Sequence, residues 1–219
     1  MTQLGFSFNA DECIGCKVCV AACKDVHALP VGYKLRKVVT GEAGTWVRDA
    51  NTGLLQPVDV FSYSVSYACM HCSKPACMEK CPKRAISKDV TTGIVSIDQE
   101  LCIGCGSCVR ACPWEAPVLV PRIDGTFSSR KCDLCHDLLA KGEEPACVAA
   151  CLMRCLKLEE FPDAPSGSAA DASRLRPDPL VPWDAEAGAH YRFTPHREML
   201  RHPDAEVRIH SMPEEYQNG

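Results

Sequence analysis

The residues most able to do chemistry in this chain are its 17 cysteines, and all but one of them fall in four short runs. Thiolates can form disulfides, bind zinc or bind the iron of an iron–sulfur cluster, and their spacing distinguishes these uses. The runs are Cys13, Cys16, Cys19 and Cys23; Cys69, Cys72, Cys77 and Cys81; Cys102, Cys105, Cys108 and Cys112; and Cys132, Cys135, Cys147 and Cys151. Only Cys155 lies outside them.

The spacing favours iron–sulfur chemistry over the alternatives. Disulfides suit small exported domains, but the cysteine count is odd and the segment MTQLGFSFNADEC carries no export signal. Structural zinc takes four ligands, usually in two separated pairs, and only the fourth run fits that pattern comfortably. The first and third runs have the spacing C-x2-C-x2-C-x3-C, which is typical of 4Fe–4S ferredoxins. A zinc-stabilised scaffold that only binds partners is the non-redox alternative.

Three closely spaced thiolates can hold one face of a cubane cluster, while the fourth cysteine of a run points elsewhere. Gly15 and Gly104 give two of the loops the freedom to bring backbone N–H groups towards the cluster sulfurs. In two-cluster ferredoxins the fourth cysteine, which precedes a proline, ligates the other cluster. Pro82 and Pro113 provide that signature in the second and third runs. Each site is therefore expected to take three cysteines from one run and one from another.

The segments between the runs indicate which runs pair. AIS and GIVSI, between the second and third runs, are predicted strands around a turn at Gly93. That layout is typical of a compact ferredoxin, so these runs pair with each other and, by elimination, the first pairs with the fourth. The predicted fold class is α+β, with two nested bacterial-ferredoxin-like units, a small β-insertion and an extended C-terminal arm. The predicted ranges are 1–32 with 130–160 for the outer unit, 33–64 for the insertion, 65–129 for the inner unit and 161–219 for the arm.

Two segments of the insertion, YKLRKVV and VFSYSVSY, are predicted strands. In the second, Phe61, Tyr63, Val65 and Tyr67 alternate with serines, which indicates a half-buried strand. A short helix is predicted after Cys135, ending at Gly142.

The segment after Phe161 is rich in proline and lacks apolar periodicity, so it is not expected to build a core. It is either a free tail or an arm that lies on a partner subunit, and Trp183, Tyr191 and Phe193 favour the arm. The net charge of −4 disfavours nucleic acid as a partner. No apolar run reaches the length of a membrane span.

Four segments resemble the iron–sulfur subunit of the dimethyl sulfoxide reductase family: GFSFNADECIGCKVCVAACKD, CMHCSKPACMEKCPKRAI, GIVSIDQELCIGCGSCVRACPWEAP and RKCDLCHDLLAKGEEPACVAAC. The resemblance covers about residues 1–160 and implies four 4Fe–4S clusters. The implied ligands are Cys13, Cys16, Cys19 and Cys151 for cluster 1; Cys23, Cys132, Cys135 and Cys147 for cluster 2; Cys81, Cys102, Cys105 and Cys108 for cluster 3; and Cys69, Cys72, Cys77 and Cys112 for cluster 4. By the same analogy, cluster 1 lies nearest the catalytic subunit and cluster 4 nearest the membrane subunit.

Three residues, Cys105, Leu152 and Cys155, bear on the ligands that the resemblance implies. Nitrate reductase relatives carry Trp at the position of Cys105 and a 3Fe–4S cluster there, so Cys105 predicts a 4Fe–4S cluster. Leu152 replaces the family's proline after Cys151. Cys155 is extra and is interpreted as a buried free thiol, with competition for the ligand position of Cys151 as the alternative.

Two histidines beside ligating cysteines, His71 and His136, are candidates to donate N–H bonds to cluster sulfurs. An ordinary packing or surface histidine is the alternative for both.

The resemblance implies a non-catalytic subunit that carries electrons between a quinol-oxidising membrane subunit and a molybdopterin catalytic subunit of a dimethyl sulfoxide reductase-type terminal reductase. The same subunit in a formate dehydrogenase, a hydrogenase or an aromatic hydroxyl-transfer molybdoenzyme is the alternative. The resemblance also implies that the protein associates with the membrane through its partners. It would lie on the extracytoplasmic face, after export on the partner's twin-arginine signal. A cytoplasmic location is the alternative.

Overall fold

The computed structural model describes residues 2–161, 180–181 and 187–209. The strands in these ranges are β1 Gln3–Asn9, β2 Lys37–Arg48, β3 Leu55–Tyr67, β4 Ile86–Lys88, β5 Val95–Ile97, β6 Val118–Pro121, β7 Phe127–Arg130, β8 Leu156–Phe161, β9 Tyr191–Thr194 and β10 Arg208–Ile209. The helices are α1 Val18–Val26, α2 Ala76–Glu79, α3 Ser107–Ala111, α4 His136–Leu139, α5 Ala146–Ala149 and α6 Arg197–Arg201. None of these helices has both the length and the apolarity that crossing a bilayer requires.

Short helices and small sheets make up the fold, as the α+β prediction expects. Strands β4 and β5 pair antiparallel, so the predicted strands between the second and third cysteine runs are confirmed. The predicted helix after Cys135 is also present as α4, and Gly142 follows it with a φ of +76°. The pair β6 and β7 is a further small antiparallel sheet.

The central sheet has the order β8–β1–β9 and joins segments that lie far apart in sequence. Strand β1 runs antiparallel to β8, with Phe6 opposite Leu158 and Phe8 opposite Leu156. Both phenylalanines are buried, and the ring of Phe8 stacks on that of Phe193 with centroids 6.3 Å apart. Burial of these apolar rings is the main source of stability in this layer.

Strands β2 and β3 form a long hairpin, which confirms the two strands predicted in the insertion. The Asp49 carboxylate accepts bonds from the backbone N–H groups of Asn51 and Thr52, and this turn leaves the exposed Trp46 near the tip. Strand β3 continues to Tyr67, so the predicted boundary after residue 64 falls inside a strand.

The expectation of a half-buried β3 is wrong at its C-terminal end, where residues 63–67 are buried on both faces. The tyrosine and valine face packs into the main core. The serine face is covered by the first cysteine loop and by Arg36, because Ser66 Oγ lies 3.4 Å from Cys19 Sγ and accepts a bond from Arg36. Alternation in sequence indicates two chemically different faces, but it does not tell which of them water reaches.

The expectation that the segment after Phe161 builds no core is wrong for the part that the structure describes. Strand β9 runs parallel to β1, and its residues Tyr191 and Phe193 are buried in the main core. Strand β10 pairs with β2, and Arg197 forms an ion pair with Asp11. Two apolar residues in a four-residue strand are too few to show a period, and the existing edge of β1 supplies the rest of the sheet. Trp183 lies outside the described residues.

Replacing Phe193 with alanine should release β9 from β1. The change removes a buried ring from the main core, at a cost of about 3 kcal/mol. Hydrogen exchange should then accelerate at the amides of Phe6 and Ala10, which donate to the carbonyls of His190 and Thr194. The matched control is Leu200→Ala on α6, because Leu200 is 53% exposed. Equal exchange at Phe6 and Ala10 in both variants would contradict this account of the sheet.

Candidate metal centres

The structure draws cysteines from different runs into common cavities. Three small cavities are each lined by four cysteines of the runs, and Cys155 also lines the one at the first loop. We call them site 1, lined by Cys13, Cys16, Cys19 and Cys151; site 3, lined by Cys81, Cys102, Cys105 and Cys108; and site 4, lined by Cys69, Cys72, Cys77 and Cys112. In each case three cysteines come from one run and the remaining one from another.

The remaining cysteines of the four runs, Cys23, Cys132, Cys135 and Cys147, are all buried, and we call this group site 2. Helix α1 packs on α5, which brings Cys23 towards Cys147. Burial raises the pKa of Cys23 to about 12, and the negative charges of Cys147 and Cys135 add to that effect. These thiols are therefore near neighbours in an environment poor in water.

Local sequence explains how the loops of the first and third runs are held. Gly15 and Gly104 both have a φ of +67°, which glycine adopts freely. A Cβ at Gly15 would lie 2.6 Å from Ser64 Oγ, and one at Gly104 would lie 2.1 Å from the carbonyl oxygen of Phe127. Each loop is thus pressed against a neighbouring strand, and a larger residue at either position would displace it.

The second and fourth runs share another local device, the sequence Pro-Ala-Cys. Pro75 and Pro145 each precede a four-residue helix whose second residue, Cys77 or Cys147, faces a site. Proline suits the start of a helix because its fixed φ is close to helical and it has no N–H to satisfy there. The last cysteine of each run comes after this helix and lines a different site.

Backbone N–H groups surround the thiols at hydrogen-bonding distance. Ala85 N lies 3.3 Å from Cys81 Sγ, and Ser129 N lies 3.3 Å from Cys102 Sγ. Leu134 N lies 3.4 Å from Cys132 Sγ. Such donors stabilise thiolate and cluster sulfurs, and they belong to the devices by which a protein tunes an iron–sulfur cluster.

Burial tests whether these sites suit bound iron. It raises the pKa of Cys72 and of Cys77 to about 12, so both thiols stay protonated at neutral pH unless a cation is present. A metal ion replaces such protons, because only the thiolate is a ligand. Four sulfurs lining one enclosed cavity are the donor set that a 4Fe–4S cluster requires, so the residues present fit the cofactor.

The sites follow one another in the order 1, 2, 4, 3. Site 1 adjoins site 2, because Cys19 of site 1 and Cys23 of site 2 lie about one turn apart on α1. Site 2 adjoins site 4, because Lys131 lines the site 4 cavity and donates to the carbonyl oxygen of Cys132 in site 2. Cys77 of site 4 and Cys108 of site 3 share one hydrophobic cluster.

This order differs from the expectation that site 4 lies at one end. Site 4 is internal, and its cysteines are buried except for the half-buried Cys112. The exposed cysteines of the four sites are Cys16 in site 1 and Cys105 in site 3. The order of the cysteine runs along the sequence does not give the order of the sites in space. The second and third runs each supply one cysteine to the site of the other, so the two sites lie side by side and either could be the inner one.

The two histidines that the sequence suggested as hydrogen-bond donors to cluster sulfurs, His71 and His136, have different environments in the structure. His71 is fully buried; its Nδ1 accepts the N–H of Val95 at 3.0 Å, and its Nε2 has no partner among the described residues. Burial holds the pKa of His71 well below its usual value, so the ring is neutral and its proton sits on Nε2. His136 is 55% exposed and contacts the carboxylates of Asp133 and Asp137, which indicates a surface role.

Aligning the four cysteine runs with one another would have indicated that His27 and Cys155 lie next to the sites. The position four residues after the last cysteine holds His27, Ala85, Ala116 and Cys155 in turn. His27 Nε2 lies 3.8 Å from Cys135 Sγ in site 2. Cys155 Sγ lies 3.6 Å from Cys151 Sγ, and a hydrogen bond from Cys155 lowers the pKa of Cys13 to about 7. Where the inner runs have alanine, the outer runs thus place a polar side chain next to a site.

Two buried cations were also missed, Arg36 and Lys131. Lys131 Nζ donates to the carbonyl oxygens of Val95 and Cys132. Other cations close to the runs in sequence, such as Lys83 and Arg110, are exposed. The sequence R-K-C before Cys132 could have drawn attention to Lys131, whereas Arg36 lies far from any cysteine in sequence.

Comparison with known proteins agrees with this chemistry. A family profile described as a 4Fe-4S dicluster domain matches residues 60–161, and one described as a 4Fe-4S binding domain matches residues 10–33. The protein is 35% identical to the B subunit of the anaerobic dimethyl sulfoxide reductase of Haemophilus influenzae, over 84% of this sequence and 85% of that one. It is 39% identical to the corresponding B subunit from Escherichia coli, over 71% and 72% of the two sequences. Protein NrfC of Escherichia coli is 30% identical, over 80% of this sequence and 73% of that one.

The neighbouring thiols of site 1 can be told apart by their effect on iron content. Cys151→Ala should lose about four iron atoms per molecule, because the cavity then lacks one of its four ligands. Cys155→Ala should retain them, and it serves as the matched control because both thiols are buried and lie side by side. Iron analysis of anaerobically purified variants measures this. Loss of iron in Cys155→Ala with retention in Cys151→Ala would exchange the roles of the two residues.

Proposed function

Because the protein belongs to the family of iron–sulfur B subunits of anaerobic dimethyl sulfoxide reductases, we propose that it holds four 4Fe–4S clusters between a molybdopterin catalytic subunit and a quinol-oxidising membrane subunit. It is an electron-transfer subunit with 4Fe–4S domains. In this proposal it has no catalytic site of its own, and the complex is a dimethyl sulfoxide reductase-type terminal reductase.

The observation that carries the proposal is the composition of the cavities. Sites 1, 3 and 4 are each lined by four cysteines of the runs, three from one run and one from another, and Cys155 also lines site 1. That exchange is the ligand pattern of two-cluster ferredoxins. It supports two nested ferredoxin-like units, in which sites 1 and 2 belong to the outer unit and sites 3 and 4 to the inner unit.

The protein's own residues would keep the path dry and define its ends. Each bound cluster would supply a centre that accepts and releases one electron. The cysteines of site 2 and three of those of site 4 are buried, so the protein excludes water from the middle of the series. Exposed Cys16 and Cys105 mark the places where partner subunits can come close to a site. We assign the site 1 end to the catalytic subunit and the site 3 end to the membrane subunit.

The proposed location follows from these partners. The protein would be held at the membrane through the membrane subunit, on the extracytoplasmic face, after export with the catalytic subunit on the twin-arginine signal of that partner. Fractionation of cells that express the whole complex tests this. Protease should then reach the protein from the periplasmic side, and protection in intact spheroplasts would favour the cytoplasmic alternative.

Anaerobic purification tests the proposed cofactor content. The protein should be brown, with broad visible absorbance and about sixteen iron atoms per molecule, because each of four sites holds a 4Fe–4S cluster. A colourless protein with about four zinc atoms would overturn the proposal and favour the zinc-stabilised scaffold.

Replacing Cys105 with tryptophan tests the ligand set of site 3. The change removes one sulfur ligand from an exposed position of the cavity, so the site should hold a 3Fe–4S cluster. Electron paramagnetic resonance of the oxidised protein should show a new 3Fe–4S signal. The matched control is Leu101→Trp, which adds the same ring at an exposed position beside the run. A spectrum identical to that of the control would contradict the assignment of Cys105.

A further inference from the structure

Arg36 is a charged side chain in an unusual place. It is 1% exposed, and its guanidinium carbon lies 4.3 Å from the centroid of the Phe6 ring. Arginine stays protonated in proteins, so this charge cannot be removed by deprotonation. Burying an ion costs several kcal/mol unless a partner of opposite charge compensates it. A buried arginine therefore calls for a negative partner.

The described residues offer Arg36 only one hydrogen bond and no carboxylate. One terminal N–H group, Nη1, donates to Ser66 Oγ at 3.1 Å. Within residues 2–161, 180–181 and 187–209, Nε and Nη2 have no partner. The stacking contact with Phe6 lowers the cost of burial but does not balance the charge. The negative partner must be sought among the thiolates.

The groups that face Arg36 are cysteines of two different sites. Burial lowers the pKa of Arg36, but the negative charges of Cys147, Cys132 and Cys19 outweigh it and hold the pKa above its ordinary value. Cys147 and Cys132 belong to site 2, and Cys19 belongs to site 1. Ser66 Oγ also lies 3.4 Å from Cys19 Sγ, so one hydroxyl connects the guanidinium to a site 1 sulfur. Leu35, the residue before Arg36, packs in one hydrophobic cluster with Cys23 of site 2. Arg36 thus lies between sites 1 and 2.

We propose that Arg36 is a fixed counter-charge shared by sites 1 and 2, which holds the reduction potentials of their clusters above the values that the rest of the protein would give them. The inference rests on the proposed function, because it requires clusters at both sites. One-electron reduction adds a negative charge to a site, and a nearby cation in a low-dielectric interior stabilises that state more than the oxidised one. Because arginine cannot lose its proton, the effect needs no proton uptake.

The effect should be confined to the outer unit. At site 4 the buried cation is Lys131, whose charge lowers the pKa of Cys77, although burial and the charge of Cys69 raise it more. At site 3, Arg110 is exposed and screened by water. Sites 3 and 4 therefore serve as internal references in the same molecule.

The test is a redox titration of the whole protein, monitored by electron paramagnetic resonance. Arg36→Gln removes the charge but keeps a polar side chain, and Arg36→Lys keeps the charge. In Arg36→Gln, the equilibrium constant for reducing at least one cluster of the outer unit should fall tenfold or more, which is about 59 mV for a one-electron couple. Arg36→Lys should restore at least half of that shift. Arg48→Gln, at the exposed far end of strand β2, which begins directly after Arg36, is the matched control and should shift nothing.

Each outcome decides a separate question. If the unaltered protein lacks iron, the proposed function fails. If Arg36→Gln holds full iron and all potentials stay within the error of the control, the counter-charge is overturned while the function stands. If Arg36→Gln loses the two outer clusters, retention in Arg36→Lys supports the counter-charge, since cluster stability then follows charge. Equal loss in both variants would overturn it.

Discussion

The constraint on which this structure depends is that one short loop can present only three thiolates to a common centre. The fourth must come from elsewhere, and here it comes from a distant part of the sequence. Cys151 reaches the loop that holds Cys13, and helix α1 carries Cys23 towards α5. Strand β1 lies beside β8 as a consequence, because each flanks one of these runs. The ligands would thus act as crosslinks in a protein with few aromatic residues, and binding and folding would be coupled.

The parts of the structure that follow from local sequence were predictable. The loops at Gly15 and Gly104, the strands β4 and β5 and helix α4 depend on residues a few positions apart. The errors arose where tertiary contacts decide. Both faces of β3 are covered near Tyr67, and Phe193 has too short a strand to show a period. The order of the sites could not be read from the order of the runs, and no local pattern predicts that Arg36 lies beside Cys19 and Cys147.

The interior combines thiols with a small number of buried polar groups that have specific tasks. Arg36 faces sites 1 and 2, Lys131 acts on site 4, and the neutral His71 keeps an N–H without a partner among the described residues. In an interior of low dielectric constant each of these groups has a larger effect than it would have at the surface. The environment of each site therefore differs although the ligands are chemically the same, and this is the means by which one kind of cofactor can acquire several potentials.

The position of β1 in the sequence also decides when the central sheet can form during synthesis. This strand leaves the ribosome well before its two neighbours in the sheet, β8 and β9, have been made. The central sheet therefore cannot close until translation has passed Thr194, whereas the second and third runs are complete once Cys112 has emerged. Until then the thiols of the first run stay accessible to oxidants and to stray metals. The first run is thus made more than a hundred residues before Cys151, and its thiols stay exposed to oxidation for the whole of that interval.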